Sequence, residues 1–486
     1  MWSLLVAVSV LAMAFAVYCF ARQTELGFVV TGLRNPGYGG AAWGLYIACD
    51  VFFTGVSFAG ITVAALARLF DVAALRPVTR AAELLTISAL LAGACSIVAD
   101  LGRPFDGLTK LPRVADPQSP FYGTFTLVVA GYLFSSLVFF FLSGRRDAAR
   151  LAADPTRHRL RTFYRLWASG YRDTTAEHVR HRRVTFWLSI GILPLLVTAH
   201  STLGFIFGIQ SGRPGWYSAL QAPAFVVLAA VSGTGLLILL ALVARRLFAA
   251  PIPDESIRWL GQFLWILSLV YLYFIVVDEL TANYAGPEAD RAVAHAVVGG
   301  AFKISFWIVV GCLLVTVAIG FSQYVLKRKG VALLGAAAAT ANVAAVLKRL
   351  LIVVPSQTNG ALLPMGEGTY APTWIEVGIA CGLVGLVAFV VLVFPRVFPL
   401  VSSSEPWPPR DVADLRDPAR TMATVATITC AIALVVVGLV DSFRQIRLGE
   451  VDPRIPYSPV MFASGVMLLF GAAVVHELFP PKEASS

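Results

Sequence analysis

Residues 80–104 read RAAELLTISALLAGACSIVADLGRP, a run of apolar and small side chains that ends in an acid, an arginine and a proline. About twenty such residues cross the hydrocarbon core of a bilayer. The segment is therefore expected to be a transmembrane helix, with Asp100 and Arg103 where hydrocarbon gives way to headgroups and Pro104 stopping the helix. Ionisable groups at that level are costly and usually mark a site or a pathway. Outward from this stretch, eleven more segments are apolar enough to span: roughly 2–20, 41–67, 122–143, 185–208, 218–245, 258–281, 295–322, 331–354, 371–394, 420–441 and 457–477. With 58% hydrophobic and 14% charged residues over 486 positions, the expected fold class is an all-α polytopic membrane protein with about 12 transmembrane helices. The first segment has no positive n-region and is followed by Arg22, so it reads as a retained helix and not as a cleaved signal.

The net charge of +10 invites a nucleic-acid reading, but its distribution argues against one. With twelve spans, about 25 of the 38 Lys and Arg residues fall on one side and about ten on the other. Lys303, Lys348 and Arg349 fall within helices. The stretch from Gly144 to Arg183 alone holds eleven arginines, and Lys327-Arg328-Lys329 joins it on the same side. Positive-inside asymmetry makes that side cytoplasmic and places both termini there. In the same loop Leu160, Tyr164, Trp167 and Tyr171 recur at helical spacing among arginines, the pattern of an amphipathic helix on anionic headgroups or of a docking surface for a cytoplasmic partner. The six cysteines all lie in apolar segments without paired metal-ligand spacing, so neither a disulfide framework nor an iron–sulfur cluster is expected.

Two four-helix groups look related as parallel repeats. Val56-Ser57-Phe58-Ala59-Gly60 on the second span is matched by Val231-Ser232-Gly233-Thr234-Gly235 on the sixth, and the next helix in each group ends in acids, Asp100 in one and Asp278-Glu279 in the other. The chain then divides into an N-terminal helix and periplasmic loop (1–40), a first four-helix bundle (41–208), a second (209–354), an additional core helix (355–400), a cytoplasmic linker (401–419) and a C-terminal hairpin (420–486).

A helix rises 1.5 Å per residue, so depth follows from distance to the outer helix end. Asp50, His200, Lys303, Lys348, Arg349 and Glu376 come out about 9–14 Å below the outer surface, with Asp100, Arg103 and Glu279 at the rim above them. Mutual pairing of these charges would merely fix helix packing. A pocket for an amphipathic ligand with a polar head is the functional alternative, and a quinone fits it: its carbonyls need donors and its tail needs lipid. Oxidising a quinol also needs a proton acceptor, a role open to His200 or a carboxylate. Two haems would need four stacked histidines; only His200 and His295 lie on the outer side, so no haem and no metal are expected.

Several motifs, in order, resemble one family. They are Trp43-Gly44-Leu45-Tyr46-Ile47; Asp100-Leu101-Gly102-Arg103-Pro104 with Ser119-Pro120 and Gly123; His200-Ser201; Gly212-Arg213-Pro214-Gly215-Trp216-Tyr217-Ser218; Glu279-Leu280-Thr281 with Tyr284; Lys348-Arg349 with Ile352-Val353-Val354-Pro355; and Tyr370-Ala371-Pro372-Thr373-Trp374-Ile375-Glu376. Over about residues 40–400 the chain resembles the NrfD-type, or polysulfide-reductase-like, quinone-interacting membrane subunits, most of all the longer hydrogenase-2 and alternative-complex-III branch. The resemblance implies two four-helix bundles without a bound redox cofactor, set in the bacterial cytoplasmic membrane. It implies menaquinol or ubiquinol as substrate near the periplasmic face, a docked ferredoxin-like iron–sulfur subunit and a catalytic redox subunit. Carried over by position, Asp100, Arg103 and His200 are the first site candidates. Asp100 and His200 are expected to be catalytic. Arg103, His200, Glu279, Lys303 and Arg349 are expected to bind quinone, and Asp50 and Glu376 to lie on a proton pathway. Some relatives carry a histidine at the position of Asp100, which leaves the proton acceptor open. The competing class is a secondary transporter or ion-translocating subunit, but transporters usually interrupt helices at a midplane site, and here the charges sit off-centre.

Overall fold

A computed structural model describes residues 1–33, 40–119, 121–172, 174–284, 286–327, 330–359, 368–401, 418–448 and 457–478. Among them every regular element is a helix. In order they are α1 (Trp2–Leu26), α2 (Leu45–Leu69), α3 (Thr79–Asp100), α4 (Pro104–Val114), a π-helix (Thr124–Leu133) running into α5 (Phe134–Ala153), α6 (Arg161–Ala168) and α7 (Thr175–Gly208). Then follow α8 (Gln221–Phe248), α9 (Asp254–Tyr284), α10 (Glu288–Val298), α11 (Lys303–Val325), α12 (Ala332–Val353), α13 (Pro355–Thr358), α14 (Trp374–Val397), α15 (Pro418–Leu448) and α16 (Tyr457–Leu478). Twelve helical segments among the described residues are long and apolar enough to cross a membrane, leaving out α4, α6 and α10 and with α13 continuing the α12 segment, and the protein is a multi-pass membrane protein.

Contacts group the chain into two units. The first holds residues 1–60, 77–108 and 203–397. Within it α8, α9, α11 and α12 close into a four-helix bundle, each packed on its neighbours. Lipid supplies no hydrophobic drive for helices to associate, so close approach of small residues does the work. Gly60 of α2 lies against Ala82 and Thr86 of α3, and Gly233 of α8 lies against Val56 and Ala59 of α2. The two small-residue motifs thus pack on each other. Likewise Gly378, Gly382 and Gly385 line the face of α14 that meets Ala12, Phe15, Ala16 and Cys19 of α1. The Trp2 indole N–H closes that pair by donating to the Leu392 carbonyl at 2.9 Å.

The second unit holds residues 61–76, 109–202 and 398–486. Here α15 and α16 form a hairpin, with Gly438 under Phe462 and Gly465 under Ala431 and Val435. A buried ion pair ties the hairpin down: Arg145 of α5 meets Glu477 of α16 at 3.0 Å, and His181 of α7 reaches the same oxygen at 2.9 Å. Arg145 also donates to the carbonyls of Ala168 and Ser169, which satisfies most of its donors, as a buried charge requires.

Two expectations change. The aromatic stripe of the basic loop does not lie on headgroups: Tyr164 is fully buried, Tyr171 is buried, and Trp167 donates to the Phe141 carbonyl. The outward face of α6 instead carries Phe163 and Leu166. The helix expected over 295–322 begins only at Lys303, because Gly299 and Gly300 end the short α10. Pro104 opens α4 as its first residue, where proline is well tolerated, besides closing off α3. The linker 401–419 lies almost wholly outside the described residues, as do Pro120, Arg328 and Lys329.

Candidate functional site

In the first unit, one end of the α8, α9 and α12 bundle is polar. A cleft there is lined by Gln221 of α8, Tyr271 and Asp278 of α9 and Lys348 of α12, with Phe274, Ile275 and Ile352 as apolar walls. At about 20 Å³ it has room for a water but not for an aromatic ring. Neither Asp278 nor Lys348 makes an ion pair within 4.0 Å among the described residues. Arg349, 2% exposed, stacks its guanidinium 4.3 Å from the Phe225 ring centre and donates Nη2 to the Phe225 carbonyl at 3.3 Å. Its Nη1 and the Glu279 Oε2 are buried without a hydrogen-bond partner among the described residues. Ion pairing purely for helix packing would have saturated these groups.

Around Asp100 the same unit builds a hydrogen-bonded ladder. Gln23 of α1 donates to the Ala99 carbonyl at 2.7 Å and accepts from the Tyr46 hydroxyl of α2 at 2.5 Å. Ser96 of α3 donates to the Tyr46 carbonyl at 2.6 Å. Asp100 ends α3 and is 6% exposed. The chain then reverses at Gly102, whose φ of +68° is in the left-handed region that glycine enters without a Cβ penalty; Arg103 after it is exposed. Asp50, buried on α2, accepts from Thr54 at 3.2 Å beside Gly93 of α3, where a Cβ would come within 3.3 Å of its carboxylate.

Glu376 is completely buried and saturated. Its oxygens accept from the amides of Gly32 (2.7 Å) and Thr373 (3.0 Å) and from the Tyr370 hydroxyl (2.6 Å). Burial and the Glu376 carboxylate push the Tyr370 hydroxyl far above its ordinary pKa, so it stays a donor to Glu376 and accepts from the Leu45 amide. Gln357 acts alike, accepting from the amides of Ala42 and Trp43 and donating to the Trp43 carbonyl. Together these side chains pin the approach to α2. Lys303 is exposed at the start of α11 and stands apart from the cleft.

His200 belongs to the second unit. It is 2% exposed, and its Nδ1 lies 2.9 Å from the Leu196 carbonyl. The Tyr132 ring meets it edge-on at 5.5 Å. A carbonyl only accepts, so Nδ1 carries a proton.

The structure therefore brings Glu279 and Arg349 to the polar end of one bundle and gives Glu376 a loop-holding position. Gln221, Tyr271, Tyr132, Gln23 and Gln357 went unnoticed in the sequence. Gln221 and Gln357 are lone amides at helix ends, a faint signal, whereas the tyrosines are indistinguishable from span-filling aromatics.

The profile of the family described as "Polysulphide reductase, NrfD" matches residues 35–360. The chain is similar to a putative dimethyl sulfoxide reductase membrane subunit of Halobacterium salinarum, 28% identical over 404 residues that cover 78% of this chain and 87% of that protein. It is similar also to a selenate reductase subunit of Mesobacillus selenatarsenatis, 22% identical over 75% of this chain and 87% of that protein. An Hdr-like menaquinol oxidoreductase integral membrane subunit of Archaeoglobus fulgidus is 25% identical over 61% of this chain and 65% of its own length.

Proposed function

This chain belongs to the NrfD family, and we propose that it is the quinone-reactive membrane subunit of a multisubunit respiratory oxidoreductase. The observation that carries this reading is the family match over 35–360 in a chain whose buried, unsaturated charges gather at helix ends. One relative is by name a menaquinol oxidoreductase subunit, and two are by name subunits of reductases. A quinol gives up two electrons and two protons. The electrons pass to an iron–sulfur partner on the periplasmic side and from there to the catalytic component of the complex. In the first unit Asp100 is the proton acceptor and Arg103, Glu279 and Arg349 hold the polar head; His200, in the second unit, is assigned separately as a proton acceptor. Asp50, buried in the first unit and within electrostatic reach of Arg349, continues the proton route. Glu376 we assign to holding the loop before α2, and Lys303 to the headgroup region. The protein resides in the bacterial cytoplasmic membrane with both termini inside.

The test is quinol-dependent electron transfer per assembled complex for His200→Ala and Asp100→Asn, beside Cys381→Ala on the exposed face of α14 as control. Loss of a general base costs about 10²-fold or more, and that drop is expected in both site variants at normal complex yield. Unchanged turnover in both would remove the assignment of the proton acceptors. Lost assembly with normal turnover in the residual complex would make the residues packing elements.

A further inference from the structure

Between Pro155 and Ala168 the chain carries four arginines, one histidine and no acid. These residues fold as a 3-10 turn, Pro155–Leu160, that runs into α6, and the Asp154 carboxylate opens the turn by accepting from the Thr156 amide at 2.9 Å. One side of α6 is spent on the second unit. Tyr164 and Ala168 are buried. The Trp167 ring stacks on Phe398 at 4.5 Å and lies against Gly144 of α5, where a Cβ would come within 2.5 Å of it. The remaining surface is not spent. At 3.6 residues per turn, Phe163 and Leu166 fall on one flank of the buried side, and Arg161 and Arg165 on the other. Leu166 is 72% exposed and Phe163 45%, and the Phe163 ring is held in place by edge contacts with Tyr164 and Trp167, both at 5.7 Å. Arg159 and Arg165 make no hydrogen bond or ion pair among the described residues, and Arg161 spends only its Nε, on the Ala152 carbonyl at 3.2 Å.

We infer that residues 155–168 dock on phospholipids with anionic headgroups, with Phe163 and Leu166 entering the acyl boundary and Arg159, Arg161 and Arg165 meeting the headgroup phosphates. Water is a poor cover for the exposed leucine and phenylalanine, and hydrocarbon is a poor cover for unpaired guanidiniums. The boundary between headgroups and acyl chains supplies both environments within the width of one helix. The sign of the charge fixes the headgroup, because a wholly basic segment gains nothing from a neutral one. Arginine suits the phosphate, since its planar fork can donate two parallel hydrogen bonds to adjacent oxygens. A basic residue beside an anionic leaflet gains about fivefold in binding, so three favour an anionic over a neutral surface by roughly a hundredfold. The docking residues are not the aromatic stripe that the helical spacing singled out. Of Leu160, Tyr164, Trp167 and Tyr171, only Leu160 stays exposed. The inference is independent of the quinone reading.

The experiment puts a nitroxide on Leu166→Cys in the assembled complex and subtracts the signal of the complex labelled without that substitution. Collision of the label with oxygen and with a water-soluble nickel chelate is measured in nanodiscs of phosphatidylcholine alone and of phosphatidylcholine mixed with phosphatidylglycerol. Oxygen is expected to reach the label severalfold more readily than the chelate in the mixed nanodiscs, and the preference should shrink in phosphatidylcholine alone. It should shrink equally in mixed nanodiscs when Arg159, Arg161 and Arg165 are all changed to Gln. The three arginines are exposed, so the triple variant is expected to assemble. If it does not, raising the salt on the parent screens the same charges and gives the same comparison. A label that the chelate reaches as easily as oxygen in mixed nanodiscs would mean that α6 faces water and would overturn the inference. A label reached by neither would show that a protein surface covers the helix instead. An oxygen preference that ignores both the lipid charge and the three arginines, or the added salt, would also overturn it.

Discussion

Glu376 shows how a single side chain can organise a surface without touching chemistry. It takes three donors, the amides of Gly32 and Thr373 and the Tyr370 hydroxyl, and leaving buried donors unmade costs about 1–3 kcal/mol each. Glu376→Ala is therefore expected to lower the thermal stability of the complex by several kcal/mol, and Glu376→Gln, which keeps one accepting oxygen, by less; a thermal-shift measurement on purified complex separates the two. Arg349 is the contrasting case. Its Nη1 lacks a partner among the described residues, although Phe225 takes a hydrogen bond from Nη2 and stacks on the guanidinium, so its desolvation is only partly offset. Arg349→Met should leave the complex at least as heat-stable while turnover falls; a destabilised complex would instead make Arg349 a packing residue. Both residues were legible as intramembrane charges, and Arg349 keeps in the proposal the quinone-binding role expected of it, whereas the loop-holding position of Glu376 was not legible. A carboxylate and a guanidinium look alike in a hydropathy profile, and only partner count distinguishes the saturated anchor from the partly compensated group. Tyr132 and Tyr271 were illegible for a different reason: a tyrosine in an apolar span is compatible with every function and with none.

At the scale of elements, the helices were readable because about twenty consecutive apolar residues have few other uses. Their ends were less so. The span drawn over 295–322 begins at Lys303, because Gly299 and Gly300 separate it from α10, and that shift removes Lys303 from the depth assigned to it. The π-helix at 124–133 was not readable, because its residues look like those of any other apolar span. The pairing of α1 with α14 could have been suspected from Gly378, Gly382 and Gly385, which are three and four residues apart on one helical face. A Cβ at Gly382 would overlap that of Ala16, and overpacking of this kind costs about 1–3 kcal/mol. Gly382→Leu is accordingly expected to loosen α1 and reduce the yield of assembled protein, whereas Gly311→Ala, with nothing within 4 Å of the added carbon, should leave yield unchanged. Equal yields would mean that the α1–α14 contact contributes nothing to assembly.

At the scale of the whole molecule the governing quantity is where the charge lies, not how much there is. Eleven arginines lie between Gly144 and Arg183, and a basic residue beside an anionic leaflet gains about 1 kcal/mol, so the expected excess of about 25 basic residues over about ten favours placing that loop in the cytoplasm. α5, α6 and α7 carry that loop in the second unit, with Arg145 and Arg180 buried and Arg157, Arg161 and Arg165 exposed. The topology expected from the twelve spans puts Asp100, Asp278 and Lys348 at periplasmic helix ends. Fusion reporters placed after Arg150 and in the linker at 401–419 should therefore report cytoplasm, and one at Arg213 should report the periplasm. Reversed signals at all three would turn the molecule over, moving the proton release from quinol oxidation to the cytoplasmic side and placing the iron–sulfur partner there as well.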